Sequence, residues 1–223
     1  MKLVTFQTMD ALKELINKEV LCCDKKYINF EKVGYAYNFI VSNMKKVIPS
    51  PENDMYPMWA WVKCHNSICP PKVKKENNNT IVKITFNKPD NEVFVTDFAL
   101  YSFVLNNIYI PKDKNDKQNF DKLLLKYNIN TDDLRAFVRK DKYPCHRTDK
   151  NYLSVCEKIY NSFDKIITDN GDILQGCVWD IKLCDVEKIE IINDKDYIYG
   201  SLNYVRANGQ RFDWINDYYK KLK

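Results

Sequence analysis

The sequence predicts an α+β domain with a mixed, mostly antiparallel sheet flanked by helices. Three observations predict it. Short runs of strand-forming residues, several of them alternating apolar and polar, recur near 2–7, 58–63, 81–87, 92–97, 174–183 and 186–192. Apolar residues at helical spacing occupy much of the chain between them. The chain has 223 residues, is 45% hydrophobic, and includes 15 Tyr, 11 Phe and 4 Trp, enough to bury a sizeable core without disulfides or metal.

Taken in order, KLVTFQ (2–7) reads as an opening strand, and Thr8 caps a helix with Met9, Leu12, Leu15 and Ile16 on one face. A second helix is expected over 31–47, with Tyr37, Ile40, Val41 and Met44 at helical spacing, ended by Pro49 and Pro51. MWAWVK (58–63) reads as a strand whose alternation puts Trp59, Trp61 and Lys63 on one face. Residues 64–79 read as a loop. IVKITFN (81–87) is a strand with Val82, Ile84 and Phe86 inward, and EVFVTD (92–97) returns after a Pro89-Asp90-Asn91 turn as its hairpin partner. Asp97 stands where an N-cap belongs, before a helix carrying Leu100, Phe103, Val104 and Ile108. KDKNDKQ (112–118) reads as a surface loop, followed by helices near 118–127, 131–140 and 149–161. LQGCVWDIKL (174–183) reads as one strand with Gln175, Cys177, Trp179 and Ile181 facing one way. Strands at 186–192 and 197–205, a turn at 208–210 and a helix with Trp214, Ile215, Tyr218 and Leu222 complete the chain. Residues 1–223 read as one domain without internal repeats, with 193–223 as a C-terminal strand-and-helix extension.

The net charge of +5 is spread over interleaved Lys and Asp/Glu, which reads as a solvated surface rather than a nucleic-acid footprint. No run of about 18 apolar residues is present, so no membrane partner is expected. The first twenty residues break their apolar stretch at Gln7, Asp10 and Lys13, unlike a signal peptide. A cytoplasmic setting is therefore expected, with the eight cysteines as thiols.

Neither GxxxxGK[ST], GxGxxG nor GxSxG occurs. Cys64, His65 and Cys69 with Cys145 and His146 hold ligand types that zinc uses, but at no standard spacing, so no metal is expected. A Cys145–His65 or Cys64–His146 nucleophilic pair rests on residue identity alone. Trp59 and Trp61 beside Lys63 suit stacking on a flat ring and holding a phosphate; core packing is the competing reading. Gln175, Trp179 and Asp180 form a second group, able to hold a ribose hydroxyl or steady a developing positive charge; a sheet-edge Gln and a solvated acid are the competing reading. Asp97 and Tyr101, one helical turn apart, form a third, against an N-cap and a packed ring.

LVTFQ, YPMWAWVK (56–63), PDNEVFVTDFALYSFVLNNIYI (89–110) and QGCVWDIKL (175–183) together resemble the bacterial domain-of-unknown-function family 3841, in order and spacing to about residue 192. A more distant resemblance is to the ADP-ribosyltransferase fold, which opens on a strand bearing a polar NAD-binding residue, continues through an aromatic middle strand and places Glu or Gln on a late strand. The chain departs from that pattern: it has no His or Arg on the opening strand, no Ser-Thr-Ser, and Asp180 is the acid of the late strand.

That layout implies a split sheet and NAD as substrate. It implies that Thr5 and Gln7 hold ribose, that Trp59 or Trp61 stacks on a ring, and that Gln175 with Asp180 steadies the oxocarbenium-like state. Lys63, Asp97, Tyr101 and Trp179 complete the expected NAD-binding set. The expected partner is a macromolecular target, nucleic acid or protein, with a toxin-like or phage-defence role among the alternatives. A non-catalytic nucleotide-, nucleic-acid- or protein-binding module is the other class of function carried forward.

Overall fold

The computed structural model describes residues 1–52, 55–69, 81–138, 147–192 and 214–222. The strands are β1 (Lys2–Thr8), β2 (Val20–Cys22), β3 (Met58–Cys64), β4 (Ile81–Asn87), β5 (Phe94–Asp97), β6 (Ile173–Val178), β7 (Asp180–Lys182) and β8 (Val186–Ile192). The helices are α1 (Met9–Lys18), α2 (Phe30–Val47), α3 (Phe98–Leu105), α4 (Lys114–Lys126), α5 (Thr131–Val138), α6 (Lys150–Ser162) and α7 (Trp214–Lys221). The α+β class holds. The six-stranded sheet runs β5-β6-β3-β1-β4-β8, and β2 pairs with β7 in a separate two-stranded ladder. Every pairing among the described strands is antiparallel.

The residues sort into two compact units. The first gathers 1–27, 41–97 and 169–212; the second gathers 28–40, 98–168 and 213–223. The first unit carries 18 Lys and Arg against 18 Asp and Glu, and the second 17 against 12. The +5 excess, evenly spread as it looks along the chain, thus belongs to the second unit.

In the first unit one sheet face is buried under α1 and the small ladder. Leu3, Met58, Ala60, Val82, Ile84, Phe86 and Val178 pack with Leu12 and Leu15 of α1, Leu21 of β2 and Ile181 of β7. Thr8 caps α1 by accepting from the Ala11 amide at 3.2 Å. Ile16 is 52% exposed and lies outside the buried stripe that the helical spacing assigned it to. Gly176 of β6 is a close-approach site: a Cβ there would lie 2.7 Å from Val93 Cγ1.

Three expectations are corrected here, and one element is added. β5 pairs with β6 rather than with β4, because both edges of β4 are taken, by β1 and β8. The stretch 174–183 is not one strand: the chain bends at Trp179, and β7 pairs separately with β2. Residues 114–118 open α4, because Asp113 accepts from the Asp116 amide at 2.8 Å and supplies a cap. β2 is a strand that its three residues do not announce. The expected strand at 197–205 and turn at 208–210 lie outside the described residues.

The second unit is built on rings. Phe39 of α2 meets Tyr160 and Phe163 edge-on at 5.5 and 5.6 Å, and Tyr35 meets Phe137 at 5.7 Å. Asn107 Nδ2 donates to the Leu134 carbonyl at 2.9 Å while its buried Oδ1 has no hydrogen-bond partner among the described residues, and the Ser162 hydroxyl accepts from the Ile110 amide at 3.0 Å. The Tyr218 hydroxyl donates to the Pro111 carbonyl at 2.7 Å, which ties down the C-terminal helix.

Candidate functional site

The sheet is nearly divided. β1 and β4 pair residue by residue from Lys2↔Asn87 to Thr8↔Ile81, but β1 meets β3 at one partner pair among the described residues, Val4↔Trp61. Two three-stranded halves, β5-β6-β3 and β1-β4-β8, are therefore neighbours linked by one bridge pair rather than by a full ladder. Side chains replace the missing ladder. The Thr5 hydroxyl donates to the Trp59 carbonyl at 3.0 Å, and Gln7 Nε2 donates to Thr5 Oγ1 at 2.9 Å. Thr5 is 3% exposed, so its hydroxyl is a buried link. Thr5→Val is expected to leave both partners short of it and to lower stability by about 1–3 kcal/mol. A urea midpoint, compared with wild type, checks this.

Register decides which predicted residues share a face. Val4 pairs with Thr85 and Trp61, Trp61 with Gln175, and Gln175 with Thr96. These five make one row across the sheet. All are buried, Trp61 at 7% and Gln175 at 8% exposure. Trp59 pairs with Cys177 on the same face and is partly exposed. Thr5 and Gln7 alternate onto the other face, with Leu3. The two predicted sets meet at the Trp59 carbonyl rather than on a common surface.

Lys63 does not join the tryptophans. The register shifts between Trp61 and Lys63, so Lys63 pairs with Leu174 and turns to the opposite face. Its ammonium donates to the Gly171 carbonyl at 2.8 Å. Asp97, also paired with Leu174, closes on the same point: a Cβ on Gly171 would lie 2.8 Å from Asp97 Oδ2. Tyr101 belongs to the second unit, where it is 8% exposed on α3.

The third group is gathered by the bend after β6. Trp179 is 4% exposed and its indole N–H donates to the Ile48 carbonyl at 3.1 Å. Asp180 is not the solvated acid of the simplest reading. Its Oδ1 accepts from Lys88 Nζ at 2.7 Å, Asp185 Oδ2 lies 2.8 Å from the same ammonium, and Glu92 Oε2 lies 3.7 Å away. The Lys88 side chain is 3% exposed. Burial alone would favour its neutral amine, but the hydrogen bonds and charges of Asp180 and Asp185 outweigh that and hold its pKa above the ordinary lysine value. A cleft of about 380 Å³ opens here, with Trp179, Ile48, Pro49 and Pro51 on its apolar side and Lys88, Asp180 and Glu92 among its polar groups.

Residues 2–187 match the model of a protein family described as a domain of unknown function, DUF3841. The chain belongs to the DUF3841 family. No curated protein and no solved structure matches it. The DUF3841 match spans β1 and β3, the tryptophan strand, and the Lys88 cluster, and ends within β8.

Lys88, Asp185 and Glu92 of this DUF3841 domain were not singled out by sequence reasoning. A signal for Lys88 existed: Val82, Ile84 and Phe86 point inward at every second residue, and Lys88 is the next in that series. The seven described cysteines are free thiols. Burial pushes the Cys177 thiol well up and Cys23 to about 11, which keeps both protonated near neutrality. Cys145 and His146 lie outside the described residues, and with them the pairings and the zinc set that needed them. Among the described residues no group of three or more His, Cys, Asp or Glu is placed to hold a metal, and no helix is long and apolar enough to cross a membrane.

Proposed function

We propose that this chain is an enzyme of ADP-ribosyltransferase type, which takes NAD at the split between β1 and β3 and passes ADP-ribose to a macromolecular target. The observation that supports it is the sheet: two three-stranded halves whose β1–β3 ladder is reduced to the pair Val4↔Trp61, with polar Thr5 and Gln7 beside it. In this reading Gln7, oriented by its bond to the buried Thr5 hydroxyl, holds the ribose. Trp59, the partly exposed tryptophan of β3, stacks on a ring. The C1′–N bond to nicotinamide breaks, nicotinamide leaves with the bonding pair, and a nucleophile of the target bonds to C1′ and releases its proton to solvent. Gln175 faces the opposite side of the sheet from Thr5 and Gln7, so the Gln7 side-chain carbonyl, rather than Gln175, steadies the positive charge on the ribose. Asp180 is the weaker candidate for that role, because its carboxylate is already matched by Lys88.

Calorimetry with NAD and a nicotinamide-release assay test the proposal together. Binding with release, both lowered at least tenfold in Gln7→Ala, is the expected result. No binding at millimolar NAD overturns it.

The pairing of Asp180 with Lys88 favours a second reading, a non-catalytic binding module. It expects NAD binding without nicotinamide release. If its ligand is a nucleic acid, the charge excess of the second unit is where binding belongs. Affinity would then fall steeply as salt rises, since released counterions drive such binding.

A further inference from the structure

We propose that the cleft beside Trp179 is a second binding site, for an organic cation: an ammonium or guanidinium group on an apolar stem. It is independent of NAD binding at the split. Three features carry it. The cleft, about 380 Å³, is of the size that holds a small ligand. Its apolar side is preformed. Pro49 and Pro51 are conformationally restricted, and the Trp179 ring is fixed by its bond to the Ile48 carbonyl. At 4% exposure the indole serves as a fixed part of that apolar wall.

The charge around the cleft selects the sign of the ligand. Lys88 uses its ammonium on Asp180 Oδ1 and Asp185 Oδ2, both within 2.8 Å. Those two carboxylates already exceed its charge. Glu92 adds a third at 3.7 Å, beyond hydrogen-bond reach, with a side chain 49% exposed. Lys182, exposed on the lining, is the opposing cation. The cleft therefore offers Glu92 and the second oxygen of Asp180 to an entering N–H donor; Lys88 and Lys182 balance these two on the lining, and Asp185, bonded to Lys88 from outside the lining, makes the local sum negative by one charge. An entering anion would meet the carboxylates of Asp180 and Glu92 on the lining, with Asp185 behind Lys88. The raised pKa of Lys88 agrees with that sign of field.

The same chemistry comes as a free amine or as an arginine side chain of a polypeptide, and one titration series separates them. The full chain is titrated by calorimetry with tryptamine, with indole-3-propionate (a similar body with the opposite charge) and with the capped tripeptide Ala-Arg-Ala. Tryptamine is expected to bind at least about tenfold more tightly than indole-3-propionate. Glu92→Gln, at an exposed position, is expected to weaken tryptamine about tenfold with an unchanged melting temperature, a ratio that corresponds to one charge-assisted hydrogen bond. Tighter binding of the tripeptide than of tryptamine assigns the cation to a polypeptide, and the reverse order assigns it to a free amine. Equal affinity for the two indoles, no effect of Glu92→Gln, or no binding of either cation at millimolar concentration overturns the proposal. Each result is read without NAD, so failure here leaves the split-sheet proposal untouched.

Discussion

Lys88→Ala is expected to destabilise the protein by about 3–5 kcal/mol at neutral pH, seen as a lowered urea midpoint. The reason is what would be left behind. Asp180 and Asp185, at 18% and 21% side-chain exposure, would face each other without the ammonium that lies 2.7 and 2.8 Å from them. The cost is that of uncompensated buried charge, not the net value of the ion pairs. Adding Asp180→Asn to Lys88→Ala should therefore restore part of the loss, a coupling that a double-mutant cycle measures. Equal losses in the single and double variants would contradict this account.

The pH dependence has a definite sign. The folded-state pKa of Lys88 lies above the ordinary lysine value of 10.5. The folded state thus holds this proton more tightly than the unfolded chain does. The corresponding stability is fully present below about 10.5 and is lost as pH rises through the higher folded value. The gap between wild type and Lys88→Ala should narrow in that alkaline window, as Lys88 gives up its proton.

Lys88 also shows how the sequence was informative and where reading it stopped short. Period-2 alternation placed Val82, Ile84 and Phe86 in the core, and their exposure is 0%. The same count reaches Lys88, but a lysine next to a proline turn reads as a strand end, so the series was broken off one residue early. The partners that make its burial tolerable sit 92 and 97 positions later in the chain. Local pattern has no access to such pairings.

The other departures share one cause: long-range pairing overrides local alternation. Trp59, Trp61 and Lys63 alternate in the sequence, yet the register shift sends Lys63 to the other face. That shift depends on how β3 meets β6, residues more than 100 positions apart. β4 and the 92–97 strand look like a hairpin because they are neighbours along the chain. The structure seats β1 and β8 beside β4 instead. No boundary between the two units is legible, because each is assembled from three separated segments and composition does not change where the chain crosses. Local rules succeeded where structure is local: Thr8 before α1, Pro49 and Pro51 after α2, and the helical spacing of α5 and α6.

Trp179→Ala is expected to cost about 3–5 kcal/mol, comparable with Lys88→Ala but by a different route. Trp179 is 4% exposed and sits at the bend between β6 and β7. On either side of it Val178 and Ile181, three residues apart, both reach the core that α1 covers. A straight strand would send those two residues to opposite faces. The ring is what fills the bend, and its N–H satisfies the Ile48 carbonyl at the end of α2. Alanine would leave a cavity the size of an indole and an unmatched carbonyl. Trp179→Phe separates the two losses. It keeps most of the ring volume and gives up the hydrogen bond, so about 1–3 kcal/mol is expected. Urea unfolding followed by circular dichroism, which does not depend on the indole signal, would order the proteins as wild type, Phe, Ala. A Phe variant as unstable as Ala would show that the bond to Ile48, rather than the ring, holds the bend.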